Sequence, residues 1–170
     1  DLGFVDYTGN CEMEIHPVET EALPLPEGYT EEKLERFNWK VRYQHALKIT
    51  PEQVVQFSPV TEKDFRIGFF LRLIIPKLEK AQGINRMAFI VYEKDTGKIA
   101  GRITVGLRNR PGGVVNGFLR LTPGHHELGK YLVNKMLSLS TTHNPDRRIS
   151  LDLPIWQEDA VSVAERAGFT

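Results

Sequence analysis

VVNGFLRLTPGHHELGKYLVNKMLSL, residues 114–139, reads as a strand, a loop and a helix in succession. Phe118, Leu119 and Leu121 form an apolar strand, and Pro123-Gly124-His125-His126 a loop. Leu128, Leu132, Met136 and Leu139 then recur every three or four residues, with Val133 and Leu137 beside them. That spacing lays a broad apolar stripe along one helix face. A helix start offers backbone N–H groups without partners in the helix, and its dipole favours negative charge. The turn at His125–Lys130 is therefore a candidate anion site.

Outward from this unit, the period on the N-terminal side is that of strands. Residues 87–93 (MAFIVYE) and 98–107 (KIAGRITVGL) flank Lys94-Asp95-Thr96-Gly97, a hairpin signal. Arg110-Pro111-Gly112-Gly113 is a second turn, so three antiparallel strands form a meander. On the C-terminal side, Ile149, Leu151 and Leu153 alternate in a further strand. Residues 156–167 predict a helix with Ala160, Val163, Ala164 and Ala167 on one face, closed by Gly168 as a left-handed cap.

The first half of the chain is read the same way. Cys11, Met13 and Ile15 alternate with Glu12 and Glu14 as in a half-buried strand, and residues 18–29 read as a linker rich in Pro and Glu. Thr30 is expected to cap a helix running to about Lys48, and Thr50 to cap a second one opened by Pro51. Residues 69–80 are expected to form a core helix interrupted by Pro76. Helices, meander, helix, strand and helix predict an α/β fold of α+β character, one mixed sheet with helices on both faces.

Composition narrows the function. With 170 residues, a single domain can bury a real core. Lys+Arg and Asp+Glu are both 22, so no basic footprint points to nucleic acid. No apolar run approaches the roughly 20 residues a membrane helix needs. Cys11 is the single cysteine, which excludes an internal disulfide and favours a reducing, cytoplasmic setting. No Cys or paired carboxylates stand near His125 and His126 at ligand spacing, so no metal site is expected.

Residues 87–170 resemble the GNAT superfamily, the acetyl-CoA-dependent N-acetyltransferases. FIVYEKDTGKIAGRITV looks like the family's second and third strands, FLRLTPGHHELGKYLVNKML like its motif A, and RRISLDLPIWQEDAVSVAERAGF like its motif B. The resemblance implies that the motif A strand splays from the next one and binds pantetheine through its backbone. The loop after it would wrap the diphosphate. Carried onto this chain, acetyl-CoA would contact Leu119, Arg120 and Leu121 on the strand and His125, His126, Leu128, Gly129 and Lys130 at the turn. A strand N–H near Leu121 would hold the thioester oxygen, and Asp152 is the candidate general base. The acceptor would be a small-molecule or peptide amine.

The chain departs from the motif. Only one loop glycine is retained, Gly129, and Glu127 stands where a diphosphate would lie. Ala164 replaces the tyrosine the family often places as general acid. Two readings stay open: an N-acetyltransferase of primary amines, weak or inactive, and a non-catalytic GNAT-like partner domain in a tandem protein. A small-molecule sensor using the same cleft is a third. Leu2-Gly3-Phe4-Val5 echoes Ala167-Gly168-Phe169-Thr170, so residues 1–17 are expected to resemble the end of a preceding GNAT domain, with 30–170 as the domain proper. The strand at residues 10–15 is then expected to fill the sheet position beyond Phe169, in the same molecule or by exchange in a homodimer. Arg102, Arg108, Arg110 and Arg120 form a basic set on the meander, and Tyr92 and Glu93 are polar groups at a strand end.

Overall fold

A computed structural model describes residues 9–16, 20–108, 114–143 and 145–170. The Leu2–Val5 echo and the turn at Arg110–Gly113 lie outside them. The elements run β1 (Asn10–Ile15), β2 (Tyr29–Lys33), α1 (Trp39–Ile49), α2 (Glu52–Phe57), α3 (Glu62–Phe65), α4 (Phe69–Ala81), β3 (Ile84–Glu93), β4 (Ile99–Arg108), β5 (Val115–Leu121), α5 (His126–His143), β6 (Ile149–Pro154) and α6 (Glu158–Arg166). They build one six-stranded sheet in the order β1-β6-β5-β4-β3-β2. All neighbours are antiparallel except β5 and β6, as the α5 crossover requires.

The expected α5 stripe is the centre of the core. Leu128, Leu132 and Met136 are fully buried against Ile103, Leu119 and Leu151 from three strands. Gly101 permits this approach, because a Cβ there would meet Leu121 and Leu132 at 3.0 Å. Ala160, Val163 and Ala164 of α6 close the same core.

β1 lies beside β6 in the same chain, Met13 opposite Leu151. Thr170 exchanges two backbone hydrogen bonds with Glu14 on the far edge of β1, 2.8 and 3.0 Å. Met13 and Phe169 are both buried there. The segment after β1 crosses α5, where the Asn134 side chain donates to Glu21 O and accepts from Leu23 N–H.

Three sequence expectations are corrected. Residues 29–33 are a strand, not the first turns of a helix, because pairing with β3 outweighs the local capping signal; α1 starts only at Trp39, with Asn38 capping Val41 N–H. Thr50 closes α1 rather than opening α2, its hydroxyl donating to Ala46 O. α4 runs through Pro76 and is not a core helix: Phe69, Phe70, Leu73 and Leu78 are all more than half exposed. Its half-buried side carries Arg72, Ile75, Pro76 and Glu79.

Candidate functional site

The site the sequence points to is the gap where β5 and β6 part. Their ladder runs from Val115–Ile149 to Phe118–Asp152 and stops there. Beyond it, Leu119 and Leu121 turn their backbone groups toward the gap, since the alternate residues face β4. A buried peptide group without a partner is costly, so something must satisfy this edge.

In this chain the satisfaction is internal. Gln157, 4% exposed between β6 and α6, accepts from Leu121 N–H through Oε1 at 2.8 Å and donates to Leu121 C=O through Nε2 at 3.1 Å. One carboxamide thus replaces the strand neighbour. The Arg120 guanidinium donates to Leu119 C=O at 2.7 Å and across the gap to Asp152 C=O at 3.1 Å. Burial pulls Arg120 below the ordinary arginine value, against which Asp152 acts to raise it.

The turn into α5 is similarly filled. Gly124, at φ +88°, gives its N–H to Asp159 Oδ2 at 2.9 Å, and the other Asp159 oxygen meets His126 Nε2 at 3.1 Å. Asp159 thus sits beside the α5 entrance as a fixed anion. Glu127 is exposed and pairs with Lys130 at 2.6 Å. His125 points the other way: Tyr29 O–H meets Nδ1 at 2.7 Å and Nε2 meets Glu93 at 3.2 Å. Thr96 also donates to Glu93, and this hydrogen bond is the leading cause that lowers the Glu93 pKa. The chain Tyr29–His125–Glu93–Thr96 ties the loop to the β3–β4 hairpin.

Gly129 and Leu128 face the core rather than the turn. A Cβ on Gly129 would lie 2.8 Å from Leu121 Cδ1 and 3.0 Å from Val163, so this glycine serves helix packing. Asp152 accepts from Asn10 of β1 at 3.3 Å. Ala164 is buried in the core. The structure therefore gathers Leu119, Arg120, Leu121 and Asp152 at the gap and His125, His126 and Lys130 around the turn. It adds Gln157, Asp159 and Tyr29, which sequence reasoning missed. A lone Gln just before a helix carries no local signal; the unpaired edge of a splayed strand was the one clue that a donor–acceptor pair was needed.

The residues present do not fit a CoA thioester. Its amides would have to displace Gln157 from Leu121, and its diphosphate would meet the Asp159 carboxylate at the helix entrance. Like charges at such range cost on the order of a few kcal/mol. The cavity beside the gap, bounded by Leu121, Pro123, Trp156 and Asp159, measures about 200 Å³. Among the described residues no three His, Cys, Asp or Glu side chains converge as a metal set, and no helix is long and apolar enough to cross a membrane.

No protein-family model matches the chain, and no curated protein matches its sequence. Solved structures do match its fold. A tandem GNAT protein from the clavulanic acid biosynthesis pathway aligns with a TM-score of 0.61 at 14% identity, over 97% of this chain and 50% of its own. A GCN5-related N-acetyltransferase from Sphaerobacter thermophilus gives 0.59 at 15%, over 96% and 48%. Spermidine N-acetyltransferase from Vibrio cholerae, in complex with CoA and spermine, gives 0.53 at 19%, over 85% and 82%. The chain spans about half the length of the first two. With its mixed sheet, its parting central strands and the helix that follows them, this chain has the GNAT superfamily fold.

Proposed function

We propose that this GNAT-fold domain holds no acyl-CoA in its strand gap and serves as the non-catalytic partner half of a tandem GNAT assembly, in a reducing, cytoplasmic setting. The observation that carries this reading is the Gln157 carboxamide on both polar groups of Leu121. Asp159 on Gly124 N–H and a buried methyl group at Ala164 support it. The partner role is supported by α4, whose outward Phe69, Phe70, Leu73, Ile74 and Leu78 form the kind of apolar patch found at interfaces. The lone Cys11 supports the compartment.

A second reading is favoured by the gap itself: an N-acetyltransferase that moves an acetyl group from acetyl-CoA to a small-molecule or peptide amine, with Gln157 and Asp159 swinging aside. Calorimetric titration with acetyl-CoA separates the two. The partner reading expects no binding at millimolar acetyl-CoA. Micromolar binding to the unmodified chain overturns it, and acetylation of an amine such as spermidine would then establish the enzyme.

A further inference from the structure

Arginines cluster on the α1 side of the sheet, and among the described residues Arg42 and Arg102 form no ion pair. The end of β2, the start of α1 and β3 enclose a cavity of about 330 Å³ lined by Lys33, Arg36, Arg42 and Arg86, with Glu35 the carboxylate among its walls. Glu79 of α4, largely buried, pairs with both Arg36 and Arg86, the latter at 3.7 Å, so one carboxylate serves two guanidinium groups. Arg42 forms no ion pair among the described residues, and its Nε is buried with no hydrogen-bond partner there. Burial, then Arg86 and Arg36, lower its pKa.

Within electrostatic reach of Arg42, two further arginines stand on β4 and β5. Arg102 on β4 stands directly opposite Arg120 on β5. The Arg102 Nε is also buried with no hydrogen-bond partner among the described residues. Its pKa is lowered by burial first, then by Arg120 and Arg42. Asp152 is the acid acting on Arg120, whose own donors go to carbonyls. Leaving a buried donor unpaired is costly, and a guanidinium fork matches carboxylate and phosphate oxygens two at a time.

We propose that the cavity between β2, α1 and β3 is an oxyanion-binding site for the carboxylate or phosphate group of a small molecule, anchored on the Arg42 fork and framed by Arg36, Arg86 and Lys33. Its volume is at the small end of ligand pockets, which favours a metabolite-sized anion. The site is separate from the β5–β6 gap, so it stands or falls independently of whether acetyl-CoA binds.

The test is thermal unfolding and calorimetry with inorganic phosphate and, separately, succinate, at ionic strength held constant with sodium chloride. Saturable stabilisation with a dissociation constant in the millimolar range or below is expected from at least one of the two. Phosphate alone identifies a phosphate-bearing ligand, and succinate alone a carboxylate. Arg42→Gln should bind at least about ten-fold more weakly, and Arg42→Lys, which keeps the charge and loses the fork, should also weaken binding. Should Arg42→Gln not fold, Arg86→Gln on the exposed strand end is expected to weaken binding too. Lys98→Gln on the hairpin should bind as the unmodified chain does. No saturable effect from either anion, or equal binding by Arg42→Gln, overturns the proposal.

Discussion

Gln157 meets both backbone polar groups of Leu121, at 2.8 and 3.1 Å, and so acts as the missing neighbour of a splayed strand. Replacing it with Ala leaves a buried N–H and a buried C=O unpaired, at a cost of about 1–3 kcal/mol. Gln157→Glu should be worse at neutral pH, because a carboxylate can accept from Leu121 N–H but then faces the carbonyl oxygen. Part of that loss should return as the pH falls and the acid becomes a donor. Urea unfolding of the three proteins checks both points. Equal stabilities would show that water substitutes for the side chain and that the gap is open.

Gly129 offers a second check on the same region. In an exposed helix, Gly→Ala gains up to about 1 kcal/mol. Here the new methyl would lie 2.8 Å from Leu121 Cδ1 and 3.0 Å from Val163 Cγ2, both on buried side chains. Overpacking of this kind costs about 1–3 kcal/mol. Gly129→Ala should therefore lose about 1 kcal/mol, a fall of about 2–4 °C in the unfolding midpoint for a chain of this size. A rise in the midpoint would mean that the glycine answers to a ligand rather than to packing.

Much of the fold was readable because the core writes itself locally. Leu128, Leu132 and Met136 repeat at helical spacing, Ile149, Leu151 and Leu153 alternate, and all six are fully buried. What escaped reading depends on distant partners. Tyr29–Lys33 is a strand only because β3 lies beside it. Tyr29, His125 and Glu93 meet from three separate elements, and Gln157 reaches a strand 36 positions away. The apolar density of residues 69–80 reads as a core helix, yet its large apolar side chains face outward. Nor does pattern show that Glu79 is drawn inward to neutralise Arg36 and Arg86.

The outward face of α4 gives a prediction opposite to that for a core helix. Phe70 is 77% exposed and Leu73 54%. Phe70→Ser combined with Leu73→Gln should change the stability of the isolated chain by no more than about 0.5 kcal/mol per site. Leu132→Ala, a core control, should cost about 2–5 kcal/mol. Chemical denaturation compares them. A large loss in the α4 variant would mean that this face is covered within the chain itself.

His45 sets the response to acid. It is fully buried, its Nε2 is 3.3 Å from Thr122 Oγ1, and the Thr122 hydroxyl donates to Ile99 O. That hydroxyl must therefore accept, which puts the proton of the neutral ring on Nε2 and leaves Nδ1 bare, without a partner among the described residues. A second proton would sit on Nδ1 with no described acceptor to receive it. Burial, then Arg102, Lys48 and Arg120, push the pKa down to about 3. The unfolded chain titrates near the ordinary value, about 6.5. Between those values the unfolded state binds the extra proton, so stability falls with falling pH by up to about 1.4 kcal/mol per unit from this residue alone. Above about 6.5 it contributes no slope. His45→Gln keeps a donor for Thr122 and removes the titration. Its unfolding midpoint should fall less steeply than that of the unmodified chain from neutral pH toward pH 4. Parallel profiles would place the acid sensitivity elsewhere.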